Sequence, residues 1–274
     1  MILGLLMLAG GAAAGLFGSL LGLGGGVLIV PLLTLGFGLP LRDAVGVSLV
    51  CVIMTSSAAA GVYLERHIAN LRLGMTLELF TAFGALLGGS IAFLLDERLI
   101  SILFAGLLAY VAVTMARARP WAPSEAPAAL DPAAETGPTQ ATMVDQLSGD
   151  GYRVRNLRLG AVGATGAGVV SALLGIGGGI VKVPLMHLAM GIPLRVATAT
   201  SNLMIGITAA ASTVIYVLHG GIDPYVAGPT AIGVFLGATA GSRLGHRVDL
   251  RLLRMLFVVV LAYTAVQMLL RVIG

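Results

Sequence analysis

The chain has 274 residues, of which 58% are hydrophobic and only 10% are charged. Soluble domains carry about 25% charged residues, so this composition excludes a soluble globular protein. The net charge of +4 comes from arginines at the ends of apolar runs rather than from a basic stripe with interleaved aromatic residues, which excludes a nucleic-acid-binding surface.

Apolar runs long enough to cross a membrane recur along the chain. About 20 helical residues span the ~30 Å of bilayer hydrocarbon, and these runs are continuous rather than alternating, so they predict helices and not barrel strands. In the first half the predicted helices cover 2–21, 44–64, 74–95 and 99–116. In the second half they cover 157–174, 197–218, 225–242 and 252–272.

Two short apolar segments, each preceded by a glycine cluster, interrupt this series. The sequence GLGGG at 22–26 precedes segment 27–39, and GIGGG at 175–179 precedes segment 180–192. As helices these segments reach only about 20 Å, so each is either a full span or a re-entrant half-helix. Pro31 and Pro184, five residues beyond each cluster, each remove a helix hydrogen bond and predict a kink.

The two halves of the chain align without a gap when one is shifted by 153 residues. GLGGGVLIVPLL from Gly22 meets GIGGGIVKVPLM from Gly175, and GLPLR from Gly38 meets GIPLR from Gly191. This self-similarity indicates a duplicated unit. We predict a first transmembrane repeat at 1–116, a linker at 117–156 and a second repeat at 157–274. The linker is rich in Pro, Ala, Ser and Asp, which predicts a solvated segment with one short helix near 142–147.

The arginines favour one membrane topology over another. Four crossings per half would divide them eight against seven, whereas a chain that reverses at each glycine cluster divides them twelve against three. The minority is Arg42, Arg98 and Arg271. By the positive-inside rule, the linker is cytoplasmic and both termini are periplasmic. Five segments per half is an odd number, so we predict an all-α integral membrane protein with two inverted-topology repeats and eight to ten passes.

The paired glycine clusters predict an anion-binding site. A helix that begins after such a cluster presents unpaired N–H groups, and glycine lets a ligand approach them closely. Two such helix starts in inverted repeats would hold an oxyanion between them. The alternative is that the glycines only allow helices to lie close together. The candidate residues are Gly24, Gly25 and Gly26 with Gly177, Gly178 and Gly179.

Lys182 and Glu78 are charged residues inside predicted apolar segments. Lys182 is the only lysine of the chain, and its partner in the repeat is Ile29. A charge at membrane depth usually faces a cavity or a partner, so Lys182 is a candidate countercharge for the anion; the alternative is that it extends to the membrane surface. Glu78 either pairs with Arg66 or Arg72, or relays protons together with Lys182.

Polar residues of the helices that follow the short segments complete the predicted site. Ser48 and Ser201 are repeat partners, and Asn202 adjoins Ser201. Their hydroxyl and amide groups can donate to anion oxygens, although such side chains often bond to their own helix. The four histidines show no metal-ligand spacing, and we expect neither a metal nor a cofactor.

The duplicated glycine motif with its proline, followed by GxPLR, resembles the TauE/SafE sulfite exporter family of bacterial permeases. The resemblance covers nearly all of both halves. It implies a bacterial inner-membrane protein that transports sulfite, sulfonates, sulfoacetate or related organosulfur anions, coupled to a proton or sodium gradient. The positions that match the motif are Gly22, Gly24, Gly25, Gly26 and Pro31, with Gly175, Gly177, Gly178, Gly179 and Pro184.

Other functions remain open from the sequence. The same helices would also serve a passive anion channel, or a membrane scaffold without a small-molecule site. An intramembrane enzyme is disfavoured because no nucleophile and base occur as a set.

Overall fold

The computed structural model describes residues 2–21, 25–65, 69–117, 147–148, 152–244 and 250–273. Most of these residues are helical. The helices of the first half are α1 Ile2–Leu21, α2 Gly26–Pro31, α3 Leu41–Glu65, α4 Leu71–Leu94 and α5 Glu97–Arg117. Those of the second half are α6 Leu157–Leu174, α7 Gly179–Pro184, α8 Leu194–Leu218, α9 Pro224–Leu244 and α10 Leu250–Ile273.

Six helices of the described part of the chain are long and apolar enough to cross a membrane: α1, α3, α4, α5, α6 and α8. Large apolar side chains cover the outer surface of the bundle, among them Leu79 at 74% exposed and Leu94 at 85%. Such a surface is stable in lipid and not in water. The prediction of an all-helical integral membrane protein is confirmed.

The chain reverses direction at the second glycine cluster. Gly160 of α6 lies against Met190, and Gly163 lies against Leu185, so α7 returns alongside the helix that precedes it. In the first half Gly10 of α1 lies against Leu32 in the same way. Both short helices therefore run back toward the start of the preceding helix.

Each short helix changes form directly after its proline. α2 widens into a π-helix over Leu32–Gly36, and α7 widens over Leu185–Ala189. Proline cannot donate the helical hydrogen bond, and its ring crowds the preceding turn, so the chain adopts a wider turn at this point. The kinks at Pro31 and Pro184 stay a prediction.

The helix contacts follow the repeat: where two helices pack together, their repeat counterparts also pack together. α1 packs against α9, and their repeat counterparts α6 and α4 pack against each other; α3 packs on α8, and α5 on α10. Glycines allow this close approach: a methyl group at Gly84 of α4 would lie 2.1 Å from the carbonyl oxygen of Thr165. At the counterpart Gly237 of α9, the distance to the carbonyl oxygen of Ala12 would be 1.9 Å. Each of these helix contacts thus maps onto itself or onto another contact when every helix is replaced by its repeat counterpart.

The direction of α3 and α8 at the centre of the bundle is given by their contacts. Gly46, near the start of α3, lies against Tyr216, near the end of α8. Ser56, further along α3, lies against Gly206, which precedes Tyr216 in α8. These two counterpart helices therefore run antiparallel.

Most of the predicted linker, residues 118–146 and 149–151, lies outside the described residues. The end of the linker packs on the helices: Leu147 is 5% exposed and Val154 is 2% exposed. The predicted helix near 142–147 also lies outside them except for its last residue, Leu147, which is helical.

Candidate functional site

The only lysine of the chain lies in a buried polar cluster. Lys182 Nζ is 3.3 Å from Glu78 Oε2 and 2.5 Å from Thr208 Oγ1. Thr208 Oγ1 is in turn 2.6 Å from Glu78 Oε1. Lys182 is 1% exposed and Glu78 is 4% exposed. We call these three residues the Lys182 cluster.

Three helices bring the Lys182 cluster together. The α7 helix carries Lys182 in its first turn, where the Lys182 amide donates to Gly178 O at 3.0 Å. α4 carries Glu78 and α8 carries Thr208, and these helices approach closely at Gly74, where an added methyl group would lie 2.9 Å from the Thr200 methyl group. Small residues thus let three helices meet around two charges.

The charges of the Lys182 cluster compensate each other. A buried ion pair is tolerated only when its remaining hydrogen-bonding groups are satisfied. Thr208 contributes here because its oxygen accepts from Lys182, while its single hydrogen can go to Glu78 Oε1 or to Met204 O, 3.0 Å away. Protonation of Glu78 would leave Lys182 with an uncompensated positive charge, which is the chemistry that binds an anion.

The sequence predicted that Glu78 either pairs with Arg66 or Arg72 or relays protons together with Lys182. In the structure its partner is Lys182 of the second half, whose ammonium group lies 3.3 Å from the Glu78 carboxylate. Arg66 lies outside the described residues. The alternative in which Lys182 extends to the membrane surface does not fit its burial.

The second glycine turn lies beside the Lys182 cluster. Gly175, Gly177 and Gly178 adopt φ angles of 68°, 77° and 75°, a left-handed conformation that favours glycine. Ser171 and Ser201 flank this turn: a methyl group at Gly178 would lie 3.3 Å from Ser171 Cβ, and one at Gly179 would lie 3.7 Å from Ser201 Oγ.

Both of these serine hydroxyls are buried without a partner. Ser171 is 0% exposed and Ser201 is 1% exposed, and the structure gives neither hydroxyl a hydrogen-bond partner. A buried hydroxyl without a partner costs about 1–3 kcal/mol, so such a group usually has a ligand or a functional reason. Two of them at one glycine turn offer donors to an incoming solute.

The first glycine turn lies against the second. A methyl group at Gly26 would lie 2.5 Å from Gly175 O. The hydroxyl of Ser48 donates to the same Gly175 O at 2.7 Å. The structure therefore brings together Gly25, Gly26 and the Gly175 to Gly179 turn, whereas Gly24 lies outside the described residues.

The predicted hydroxyl and amide residues differ in their hydrogen bonding. Ser48 is engaged with the backbone of the glycine turns, whereas Ser201 is unpartnered. Asn202 is 7% exposed, and its backbone carbonyl accepts a 2.5 Å hydrogen bond from Ser56 Oγ across the α3–α8 contact.

The polar site is asymmetric with respect to the repeat. Shifting by 153 residues replaces Lys182 by Ile29, Glu78 by Ala231 and Ser171 by Gly18. Ile29 is 0% exposed and packs in the apolar core. Ser171 did not stand out in the sequence, although its replacement of a repeat glycine is a signal that could have identified it.

Metal-binding geometry does not occur among the described residues, which contain no group of three His, Cys, Asp or Glu side chains that could hold an ion.

Comparison with known proteins relates this chain to membrane transporters. The model of the sulfite exporter TauE/SafE family matches residues 7–268. The chain is 25% identical over 269 residues to the probable membrane transporter protein YunE of Bacillus subtilis, covering 94% of each chain. It is 30% identical over 238 residues to a probable membrane transporter protein of Xylella fastidiosa strain 9a5c, covering 86% of this chain and 83% of the relative. No solved structure is significantly similar to the chain.

Proposed function

The chain belongs to the sulfite exporter TauE/SafE family of membrane transporters, and we propose that it is a secondary transporter for a small sulfur-containing anion such as sulfite, a sulfonate or a sulfoacetate-like compound. The observation that carries this proposal is the buried Lys182 cluster beside the second glycine turn. An anion resting there would meet a lysine ammonium group, two unpartnered hydroxyls and the glycine backbone.

The Lys182–Glu78 ion pair supports coupling to protons. With Glu78 ionised, the lysine is compensated and has little affinity for a second anion. With Glu78 protonated, the lysine is free to bind the anion, so the proton and the anion are carried together with no net buried charge. Sodium coupling would instead need a set of oxygen ligands, for which Glu78 and Thr208 are the candidates.

The substrate contacts that we propose are asymmetric. Ser171, Ser201 and the Gly177 to Gly179 backbone donate to the anion, with Lys182 as the countercharge. Asn202 adjoins this set on α8. The first turn, with Gly25, Gly26 and Ser48, supports the second turn from behind rather than contacting the anion, because Ser48 already donates to Gly175 O.

We propose inverted repeats that cross the membrane eight to ten times in total, with the linker in the cytoplasm and both termini outside a bacterial inner membrane. Support comes from the antiparallel run of α3 and α8, since a two-fold axis in the membrane plane reverses a helix relative to its counterpart. Arg42, of the arginine minority, donates to Leu95 O at the end of α4, whereas the linker contacts Asn70 at the start of α4. Alternating access would then follow from movement of one half against the other.

Transport in proteoliposomes tests the function. The purified protein should accumulate labelled sulfite or sulfoacetate above equilibrium when a proton gradient is imposed, and a protonophore should abolish the accumulation. Downhill flux that ignores the proton gradient would identify a passive channel, and no flux of any sulfur anion would contradict the proposal.

Variants of the Lys182 cluster test the coupling. Glu78→Gln should retain exchange of labelled for unlabelled anion but lose proton-driven accumulation, because glutamine mimics the protonated acid. Lys182→Met should lose both activities. The matched control is Thr81→Val, which removes a buried hydroxyl of the same helix that bonds only to Leu77 O, and it should transport normally. Normal proton-driven accumulation by Glu78→Gln would exclude Glu78 as the coupling group.

A further inference from the structure

Asn70, at the start of α4, makes hydrogen bonds to the end of the linker. We define the linker end as residues 147–148 and 152–156. Asn70 Nδ2 donates to Leu147 O and to the Tyr152 hydroxyl, each at 2.8 Å. The same side chain caps α4, since Asn70 Oδ1 accepts from Leu73 N at 3.0 Å. Asn70 therefore joins the linker to the helix that carries Glu78.

A second attachment joins the linker end to the end of the π-helix that follows α7. Arg155 N donates to Met190 O at 3.0 Å, and Asn156 Nδ2 donates to Ala189 O at 3.1 Å. Asn156 has a φ angle of 50°, a left-handed conformation that directs the chain into α6. The linker end is thus fixed between α4 and the helix that carries Lys182.

Below the linker end lies an apolar layer that leads to the Lys182 cluster. Leu147 and Val154 belong to one buried cluster with Leu73, Met186 and Met204. Met186 and Met204 lie four residues, about one helical turn, from Lys182 and Thr208. The linker end and this layer therefore separate the ion pair from the face of the protein at which α4 and α8 begin.

The opposite face is open at the corresponding place. A cavity of about 520 Å³ lies there, bordered by Gly38, Leu39, Leu41 and Arg98. A shift of 153 residues places its counterpart at Gly191 to Leu194. That position is occupied by the linker end, with Arg155 Cδ 3.9 Å from where a methyl group on Gly191 would lie. The linker end therefore fills, at Gly191 to Leu194, the space that is an open cavity at the repeat counterpart, Gly38 to Leu41.

We propose that the linker end is a plug that closes the path to the Lys182 cluster from the linker side, and that it must undock before the transporter opens to that side. The inference rests on the proposed function in placing the substrate at the Lys182 cluster. Undocking would expose Met204 and Met186 to water.

Accessibility of a cysteine beneath the plug tests the proposal without any transport measurement. In full-length protein with Cys51→Ala, reconstituted in nanodiscs, Met204→Cys should react slowly with a charged methanethiosulfonate reagent. Adding Asn70→Ser keeps an N-cap residue for α4 but is too short to reach Leu147 or Tyr152. Losing these two hydrogen bonds should raise the labelling rate at least about tenfold.

The matched control is Ser101→Cys, which borders the open cavity of the opposite face and should label rapidly at a rate that Asn70→Ser does not change. Fast labelling of Met204→Cys with Asn70 intact, or a rate unaffected by Asn70→Ser, would overturn the plug. Either result would leave the anion transport proposal standing, because labelling needs no substrate.

A cross-link provides the second measurement. Asn70→Cys and Leu147→Cys, joined by a short bifunctional thiol reagent in the Cys51→Ala background, should stop anion transport, and reduction should restore it. Each single-cysteine variant, treated with the same reagent, should keep the anion transport rate that it had before treatment. Full transport by the cross-linked protein would show that the linker end need not move.

Discussion

Two opposite charges are buried inside an apolar bundle at Lys182 and Glu78. In lipid neither charge can reach water, so the pair is stable only while both members and Thr208 are in place. Apolar residues of similar volume would fill this space at least as well, which suggests a role for the charges beyond stability. Their repeat counterparts, Ile29 and Ala231, demonstrate that the fold accepts apolar side chains at these positions.

Removing one charge should destabilise the protein more than removing both. Lys182→Met leaves Glu78 buried without its countercharge, at a cost of about 3–5 kcal/mol. Lys182→Met combined with Glu78→Gln should recover most of the loss in a thermal unfolding measurement, yet remain inactive in transport. A double variant as unstable as the single one would show that the ion pair itself holds the helices together.

Ser171→Ala and Ser201→Ala should separate binding from stability. Their hydroxyls have no partner in the structure, so their removal should leave the melting temperature unchanged or raise it. If each donates to the anion, KM should increase about 5- to 10-fold per variant. Ser212→Ala on α8 is the matched control, because its hydroxyl bonds to Thr208 O within the helix and should leave KM unchanged. Unchanged KM in both variants would remove these serines from the site.

At the scale of elements, glycines determine how closely helices approach. α4 meets α6 backbone to backbone, and α1 meets α9 in the same way, so each contact leaves no space for a side chain. Association of helices in lipid depends on such close contact rather than on burial of apolar surface. The short α2 and α7 helices obey another constraint, since each ends in a π-helix that begins beside a proline.

Gly84→Ala should separate α4 from α6. The added methyl group would meet Thr165 O at 2.1 Å, so the helices must shift, at a cost of about 1–3 kcal/mol. Gly106→Ala on α5 is the matched control: no atom lies within 4 Å of the added methyl group, and stability should be equal or higher. Thermal unfolding in detergent measures both, and equal melting temperatures would contradict the close α4–α6 contact.

At the scale of the whole molecule, helices of each half pack against helices of the other half. α4 of the first half packs on α6 of the second, and α9 packs on α1, so neither repeat can bury its interfaces alone. The Lys182 cluster likewise combines Glu78 of the first half with Lys182 and Thr208 of the second. A movement of one half against the other would therefore act directly on the ion pair.

Thiol labelling in whole cells should establish the orientation. In the Cys51→Ala background, Asp223→Cys, in the exposed turn between α8 and α9, should react with an impermeant reagent in intact cells. Ser124→Cys in the linker should react only after the inner membrane is permeabilised. The opposite pattern would place the linker outside, and labelling of both residues in intact cells would exclude inverted repeats with a cytoplasmic linker.

Much of the fold could be predicted because membrane helices follow from local composition. The predicted helix 44–64 compares with α3 Leu41–Glu65, and predicted 197–218 compares with α8 Leu194–Leu218. Lipid requires every backbone group to bond within its own segment, so a long apolar run has little choice but to be a helix. The repeat could also be predicted, because the two halves align without a gap at a shift of 153 residues.

The candidate site was only partly predictable. Lys182 stood out because a lone lysine in an apolar run is costly. Its partner was not evident, since Glu78 lies 104 residues away and nearer in sequence to Arg66 and Arg72. Ser171 gave no local signal of an unpartnered hydroxyl, because a serine in a helix usually bonds to its own backbone.

The amino-acid sequence by itself thus determined the helices, the duplication, the glycine turns and the buried charge, all of which depend on local composition and spacing. Only the tertiary structure decided which parts of the chain meet. Lys182 of α7 pairs with Glu78 of α4, the two glycine turns touch, and the linker end covers one face. These contacts join residues far apart along the chain, and their geometry depends on how ten helical segments of the described chain fit against one another, which no local pattern encodes.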